Sequence, residues 1–274
     1  LWPILDPEEQ VEGFRQLDRA VAESFFLSRA SVGQATLVLG LPEGERRGWL
    51  RLLAPDDAAD VLQRVPLGRR TEFLALLDDP TRHEVQALLA YAEDQAGGLM
   101  NPRYARVRPD MRVDEALLYL RRQARERSEG IYYAYVVAPD QRLLGVLSFK
   151  ELLLAPDDGT VEQVMRRDIV AVPEHLHQEE IARLIARHDL MALPGVDAEG
   201  CMGGIVTVDD VVDVLNEEAT EDIQKVGGSE ALDLPYWRTG FPTLVRKRAG
   251  WLTVLFLGEM LTATAMARYE EEIA

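Results

Sequence analysis

The chain is poor in the residues on which many binding and catalytic sites depend. It has one cysteine, Cys201, and four histidines in 274 residues. A single cysteine can form neither a disulfide within the chain nor a cysteine-based zinc site, and it is typical of a reducing cytosol. The few scattered histidines argue against an imidazole metal centre. The sequence also lacks a nucleophile elbow, a phosphate-binding glycine loop and a histidine-centred dyad, so we expect that the chain is not an enzyme.

Basic residues are also in short supply. The chain has 30 lysines and arginines against 47 acids, which gives a formal net charge of -17. That field repels nucleic acid and attracts cations, so we expect no nucleic-acid partner. Apolar residues make up 47% of the chain, enough for a core, and the length suggests two or three domains. The chain begins at Leu1 without a methionine and has no signal-peptide pattern, so we expect it to be a fragment.

Residues 1–95 are predicted to contain helices only. Apolar residues recur there at helical spacing, for example at Val11, Phe14 and Leu17. In the stretch DDPTRHEVQALLAY, Asp79 is a candidate N-cap with Pro80 at the first helical position. Short helices interrupted by LP, AP and DDP predict an array in which each helix buries one stripe against its neighbours.

Further along, the chain carries one pattern twice. The stretch YVVAPDQRLLGVLSFKEL at 135–152 aligns with PGVDAEGCMGGIVTVDDVV at 194–212, and each has a strand, a turn, a second strand and a helix start. Upstream, the amphipathic segments 113–122 and 179–188 match each other. Two copies of a β-α-β-β-α unit are therefore predicted.

The most hydrophobic segment lies near the C-terminus. Residues 249–267 are apolar except for Glu259 and a few threonines, and as a helix they would extend about 28 Å, close to one hydrocarbon core. The basic run 246–248 before them is typical of a cytoplasmic flank. We therefore expect a membrane helix at 249–267, with Glu259 facing other membrane helices. A buried helix of a soluble domain is disfavoured because the segment has no polar face.

Acids are concentrated between the repeat and this segment. On a helix that begins near residue 210, at about 100° per residue, a set of carboxylates shares one face. This acidic face consists of Asp210, Asp213, Glu217, Glu218, Glu221 and Asp222. A solvated outer face is the simplest explanation, but such faces normally carry interleaved lysine or arginine, and this one has almost none. Mg²⁺ binds carboxylate oxygens while keeping several waters, so the face suits partly hydrated Mg²⁺ ions.

The doubled unit resembles a pair of CBS domains, and the likeness extends further. The order of EDQAGGLMNP, the tandem copies, ATEDI and a basic-flanked apolar helix with LGEMLTATAM is similar to the MgtE family of magnesium channels. The resemblance implies an α+β multidomain fold: an all-α N-terminal helical array, a tandem CBS pair, a long connecting helix and one apolar membrane helix. The implied segments are residues 1–95, CBS copies at 96–160 and 161–220, a plug helix at 221–248 and the membrane helix at 249–267.

The resemblance also implies which acids hold Mg²⁺ between domains. Asp56 and Asp60, four residues apart on one helix face, are expected to face Asp210 and the acidic face across the domain boundary. Helix capping would explain Asp56 or Asp57, but not Asp60. Two more acids, each with an ordinary surface role as its alternative, complete the predicted metal set: Glu179 and Asp189.

A Ser/Thr-x-x-acid pattern follows the second strand of each copy, as in nucleotide-binding CBS repeats. It reads SFKE at 148–151 and TVDD at 207–210. By resemblance the acid takes ribose hydroxyls, Lys150 meets phosphates and Tyr133 stacks on adenine, chiefly in the first copy. The pattern also predicts helix caps. We assign Asp210 to the metal because it begins the acidic face. The predicted nucleotide-binding residues are Tyr133, Ser148, Lys150, Glu151 and Thr207.

Together these features predict the Mg²⁺-sensing part of a homodimeric magnesium channel in the cell (inner) membrane, with residues 1–248 cytoplasmic and the two chains paired through their CBS domains. Mg²⁺ bound between acidic surfaces would close the domains and shut the pore through the plug helix, and ATP would modulate this. The alternative is an adenine-nucleotide-sensing CBS module of another membrane transporter. A CBS-regulated enzyme is disfavoured by the apolar C-terminal helix.

Overall fold

The computed structural model describes residue 2 and residues 5–126, 132–212 and 241–268. The described residues up to 212 belong to one unit, and the C-terminal helix belongs to a second. Within the acidic face, only Asp210 is among the described residues; Asp213, Glu217, Glu218, Glu221 and Asp222 lie outside them, as does most of the predicted plug helix at 221–248.

The N-terminal region consists of short helices, as predicted. They are α1 (Pro7–Arg15), α2 (Arg19–Leu27), α3 (Ser31–Gly40), α4 (Glu43–Leu50), α5 (Pro55–Gln63), α6 (Leu67–Leu74) and α7 (Asp79–Leu88). Their inward stripes meet in a core that includes the fully buried Phe14, Phe26 and Phe73. The cap of α7 is Asp78, one residue before the predicted Asp79, because the Asp78 carboxylate accepts the backbone N–H of Thr81.

Two arginines bind the ends of these helices in the same way. Arg46 donates to the carbonyl oxygens of Leu41 at 2.8 Å and Leu39 at 3.2 Å. Arg70 donates to the carbonyl oxygens five and seven residues before it, at 3.2 and 2.6 Å. The last carbonyls of a helix have no hydrogen-bond partner within that helix. The two guanidinium groups therefore supply donors to the C-terminal ends of α3 and α5, which stabilises these ends.

The predicted doubled unit is confirmed. The first copy contains α8 (Ala96–Leu99), β1 (Arg106–Val107), α9 (Val113–Glu126), β2 (Tyr133–Val137), β3 (Leu143–Ser148) and α10 (Phe149–Leu154). The second contains α11 (Val161–Val164), β4 (Val172–Pro173), α12 (Gln178–His188), β5 (Ala192–Val196), β6 (Met202–Thr207) and a helical stretch at 208–212, here α13. Each sheet has a parallel pair followed by an antiparallel pair, in the orders β1-β2-β3 and β4-β5-β6.

The N-terminal region and the second copy are joined by backbone hydrogen bonds. The N–H groups of Ala96 and Gly97 donate to carbonyls of the segment before α12, at 2.8 and 2.7 Å, and Gln178 N–H donates back to Asp94 at 2.8 Å. A Cβ on Gly97 would lie 2.5 Å from the Tyr91 ring, so the glycine of the EDQAGGLMNP stretch allows this close approach. The helices and the second copy also share one hydrophobic core, which fixes α5 close to the second copy.

The C-terminal unit contains one long helix, α14 (Phe241–Arg268). It includes the predicted membrane segment 249–267, and threonine hydroxyls such as that of Thr253 donate to carbonyls one turn back. Among the described residues, however, no helix is both long enough and apolar enough to cross a membrane. The helix is therefore confirmed, and its membrane-spanning character stays a prediction.

Candidate functional site

Helix α5 carries three carboxylates close to its N-terminal end. Ala54 occupies the N-cap position and Pro55 the first helical position, so neither Asp56 nor Asp57 serves as the cap. Asp56 is only 8% exposed, Asp57 is exposed, and Asp60 is half-buried. The partial positive charge of the helix N-terminus favours acids in this first turn. Capping therefore does not account for these carboxylates.

Asp210 lies at the start of α13 in the second copy. Its Oδ2 accepts the hydroxyl and the backbone N–H of Thr207, at 2.8 and 3.2 Å. Burial, which is the largest cause, and the charges of Asp209 and Asp57 together raise the pKa of Asp210 to about 8, against the hydrogen bonds from Thr207, which lower it. The charge of Asp57 on α5 is therefore one of the charges that act on the Asp210 carboxyl group of α13.

An acid of the N-terminal helices thus lies close enough to the second CBS copy for its charge to act on Asp210. The charge of Asp57 reaches Asp210, whereas the sequence analysis favoured Asp56 and Asp60 on α5 and considered Asp57 only as a cap. The places of Asp56 and Asp60 in the metal set remain predictions. The missed signal was Pro55: proline is common at the first helical position, which places the cap at residue 54 and leaves Asp57 free of that assignment.

Glu179 and Asp189 occupy opposite ends of α12. Glu179 lies in its first turn and forms an ion pair with Arg183 at 3.2 Å. Asp189 ends the helix in the left-handed conformation, with φ 50° and ψ 44°, and is exposed. Ten residues of helix separate the two acids by about 15 Å, so they cannot share one ion. Their places in the metal set remain predictions.

No group of three histidine, cysteine, aspartate or glutamate side chains that could hold a metal ion occurs among the described residues. Mg²⁺ needs only one or two direct carboxylates and completes its octahedron with water. Acids such as Asp57, Asp209 and Asp210, which do not form such a group, therefore suit an ion that is held mainly through water and not a closed protein cage.

The predicted nucleotide residues of the first copy lie together at the end of its antiparallel pair. Tyr133 on β2 is paired with Ser148 on β3. Ser148 caps α10: its hydroxyl and backbone N–H donate to Glu151 Oε2 at 2.9 and 2.8 Å. Lys150 follows on the first turn of α10 and is exposed. The predicted capping role of Ser148 is confirmed, and an aromatic ring, a carboxylate and an ammonium group surround the same strand end.

The equivalent positions of the second copy carry a different set of groups. Ala192 is paired with Thr207 on β6, so alanine stands where the first copy has Tyr133. Asp209 stands where the first copy has Lys150. The second copy therefore lacks both the predicted stacking ring and the predicted phosphate-binding charge, and its negative charge suits a cation instead.

Tyr133 also connects the two copies. Its hydroxyl accepts the backbone N–H of Met191 at 3.4 Å, and the carbonyl oxygen of Met191 accepts the N–H of Val208 at 3.0 Å. Val208 is the first residue of α13. Two hydrogen bonds therefore lead from the predicted adenine-stacking ring to the helix that carries Asp210, a connection that sequence spacing alone does not reveal.

Comparisons with known proteins agree with this architecture. Residues 1–94 match the family described as MgtE intracellular N domain, and residues 96–158 and 161–217 match the CBS domain. The chain is similar to the magnesium transporter MgtE of Thermus thermophilus, with 47% identity over 218 residues, 78% of this chain and 48% of that protein. It is 31% identical to MgtE of Bacillus subtilis over 218 residues, 80% of this chain and 48% of that protein.

A solved structure extends the comparison. The fold is similar to a crystal structure of the cytosolic domain of the Mg²⁺ channel MgtE in complex with ATP, with a TM-score of 0.71, 42% identity, and coverage of 78% of this chain and 87% of that one. The chain spans about half the length of the curated relatives it matches. From the order of its domains and these similarities, the chain belongs to the MgtE family of magnesium transporters.

Proposed function

We propose that this chain is the Mg²⁺-sensing cytosolic region of a Mg²⁺-selective channel or transporter in the cell membrane. The observation that carries the proposal is that the charge of Asp57 on α5 reaches Asp210 on α13 and raises its pKa, as the charge of Asp209 also does. Without an ion, burial and the charges of Asp57 and Asp209 hold a proton on Asp210. A divalent cation displaces this proton and replaces the repulsion between the two domains with attraction. Mg²⁺ therefore favours the closed arrangement of the N-terminal helices on the second copy.

The acidic face continues this sensing surface towards the pore. Its remaining members lie outside the described residues, at 213–222. Mg²⁺ held there fixes the plug helix in one position, and loss of the ions releases it, so the ion biases an equilibrium between two states of the pore. A chain with a net charge of -17 concentrates the cations that occupy such sites.

ATP modulates this response from the first copy. The carboxylate of Glu151, the ammonium of Lys150 and the ring of Tyr133 surround one strand end. These groups suit ribose hydroxyls, phosphates and a base. The relative whose fold this chain resembles was crystallised in complex with ATP. A module that senses adenine nucleotide alone, attached to another transporter, remains the competing function.

Isothermal titration with Mg²⁺, with and without ATP, separates the two functions. We expect Mg²⁺ to bind the parent chain and to bind more weakly to the double variant Asp57→Asn with Asp210→Asn. The control Asp110→Asn removes a carboxylate that is 71% exposed in the first copy and should bind Mg²⁺ as the parent does. Lys150→Ala should weaken ATP binding and leave Mg²⁺ binding intact. Binding of ATP without any binding of Mg²⁺ would establish the competing function.

Apolar side chains on one part of the first copy support pairing with a second chain. Leu118 on α9, and Leu153 and Leu154 on α10, are 63%, 65% and 76% exposed. Burying them between two copies removes apolar surface from water, at roughly 25 cal/mol per Å². Leu154→Glu should therefore shift the chain from dimer to monomer in light scattering, and Leu67→Glu, at a 78% exposed leucine of α6, should not. A monomeric parent chain would refute the pairing.

A further inference from the structure

Thr207 holds the carboxyl group of Asp210 through one of its two oxygens. The Thr207 hydroxyl donates to Asp210 Oδ2 at 2.8 Å, and the Thr207 backbone N–H donates to the same oxygen at 3.2 Å. Both bonds go to Oδ2, and neither uses Oδ1. Thr207 ends β6 and Asp210 lies in the first turn of α13. The threonine therefore fixes the direction in which the carboxyl group points from the start of that helix.

The surroundings of this hydroxyl–carboxyl pair favour a cation. Asp210 is half-buried, so part of the residue is in contact with solvent, and its neighbour Asp209 is exposed. In the first copy, the hydroxyl of Ser148 bonds an acid in the same way, at 2.9 Å, but Lys150 stands where the second copy has Asp209. The same pair therefore lies beside a positive charge in the first copy and a negative charge in the second, and in the second it suits a cation.

We propose that Thr207 is a positioning residue for Mg²⁺, because it holds Asp210 by Oδ2 and so presents Oδ1 to the ion or to one of its waters. The proposal rests on the Mg²⁺ site proposed above. Carboxylates that bind metals are themselves held by hydrogen bonds, and these outer partners orient the ligand. This role takes the place of the predicted role of Thr207 in nucleotide binding, since Ala192, which is paired with Thr207, supplies no ring for a base.

Titration of Thr207→Val with Mg²⁺ tests the proposal, because valine keeps the branched shape and removes the hydroxyl. We expect the affinity for Mg²⁺ to fall about tenfold, the lower end of the effect of losing an outer partner of a ligand. Thr207→Ser keeps a hydroxyl and should retain the affinity of the parent chain. The matched control is Thr160→Val, at a threonine that precedes α11 and whose backbone N–H bonds the neutral side chain of Gln163 at 3.0 Å. This control should bind Mg²⁺ as the parent does.

A second titration, with Ca²⁺, separates positioning from helix capping, since Thr207 also stands at the start of α13. A weakened cap loosens the helix and lowers the affinities for Mg²⁺ and Ca²⁺ by the same factor. Loss of a fixed carboxylate direction weakens Mg²⁺ more, because Mg²⁺ demands near-ideal octahedral geometry and Ca²⁺ accepts flexible geometry. We therefore expect the ratio of Mg²⁺ affinity to Ca²⁺ affinity to fall in Thr207→Val. An equal loss for the two ions would overturn the positioning role.

Failure of this role is distinguishable from failure of the Mg²⁺ site. If the parent chain binds no Mg²⁺, or if Asp210→Asn binds it as tightly as the parent, the site at Asp210 fails and the role of Thr207 fails with it. If Asp210→Asn binds Mg²⁺ more weakly and Thr207→Val binds it as the parent does, only the role of Thr207 is overturned. Weaker Mg²⁺ binding by Thr207→Ser than by the parent, equal to that of Thr207→Val, would also overturn it.

Discussion

Single residues decide what each CBS copy can bind. Lys150 in the first copy and Asp209 in the second occupy equivalent places in the first turn of the helix after the sheet. The first gives a positive charge beside the proposed nucleotide, and the second adds a negative charge beside Asp210. One exchange of charge therefore separates the copy that is proposed to bind an anion from the copy that is proposed to bind a cation.

The raised pKa of Asp210 predicts a specific pH dependence of stability. The folded chain holds a proton on Asp210 up to about pH 8, whereas an unfolded aspartate releases it near pH 4. The folded state thus binds more protons than the unfolded state between these values, and its stability falls as the pH rises through this window. In Asp210→Asn, which can still accept from Thr207, this loss should be absent.

Thermal unfolding without metal measures the effect. Relative to the parent, Asp210→Asn should melt at about the same temperature at pH 4. At pH 8.5 it should melt at least about 5 °C higher, which corresponds to a difference of about 2 kcal/mol in the free energy of unfolding. For the matched variant Asp110→Asn, at an exposed acid, the difference in melting temperature from the parent should not increase with pH. A constant difference between Asp210→Asn and the parent across the range would show that Asp210 titrates normally.

At the scale of elements, the packing of the N-terminal helices against the second copy depends on α8. Gly97→Ala would place a methyl group 2.5 Å from the Tyr91 ring, and overpacking of this kind costs about 1–3 kcal/mol. Gly44→Ala on α4, where nothing lies within 4 Å, should instead stabilise by about 0.5–1 kcal/mol. The melting temperatures should therefore move in opposite directions, and a shift in the same direction would mean that α8 is not tightly packed.

The elements themselves follow from local patterns in the sequence. The two copies were visible because each repeats apolar strands and a Ser/Thr-x-x-acid cap, and Ser148 and Thr207 bind their acids as that pattern predicts. The packing of the N-terminal helices against the second copy was not visible in the sequence. The backbone hydrogen bonds from Ala96 and Gly97 to the segment before α12 connect residues about eighty positions apart. Such pairing depends on tertiary packing, which neither periodicity nor propensity encodes. The same limit hid the proximity of Asp57 to Asp210.

For the whole molecule, charge opposes compactness. A net charge of -17 makes the chain repel itself, and part of this repulsion acts between α5 and α13, where the charge of Asp57 reaches Asp210. The hydrophobic contacts and hydrogen bonds between the N-terminal helices and the second copy favour the arrangement in which the two are packed together. The acids on the two sides oppose it. A divalent cation at that boundary shifts this balance by an amount set by its affinity and concentration.

Small-angle X-ray scattering over a Mg²⁺ titration tests this account most directly. Between a metal-free buffer and tens of millimolar Mg²⁺, with ionic strength matched by KCl, the radius of gyration of the parent chain should fall. The double variant Asp57→Asn with Asp210→Asn should be compact at lower Mg²⁺ and respond less, because its repulsion is already relieved. A radius of gyration of the parent chain that stays the same throughout the titration would contradict Mg²⁺-driven closure.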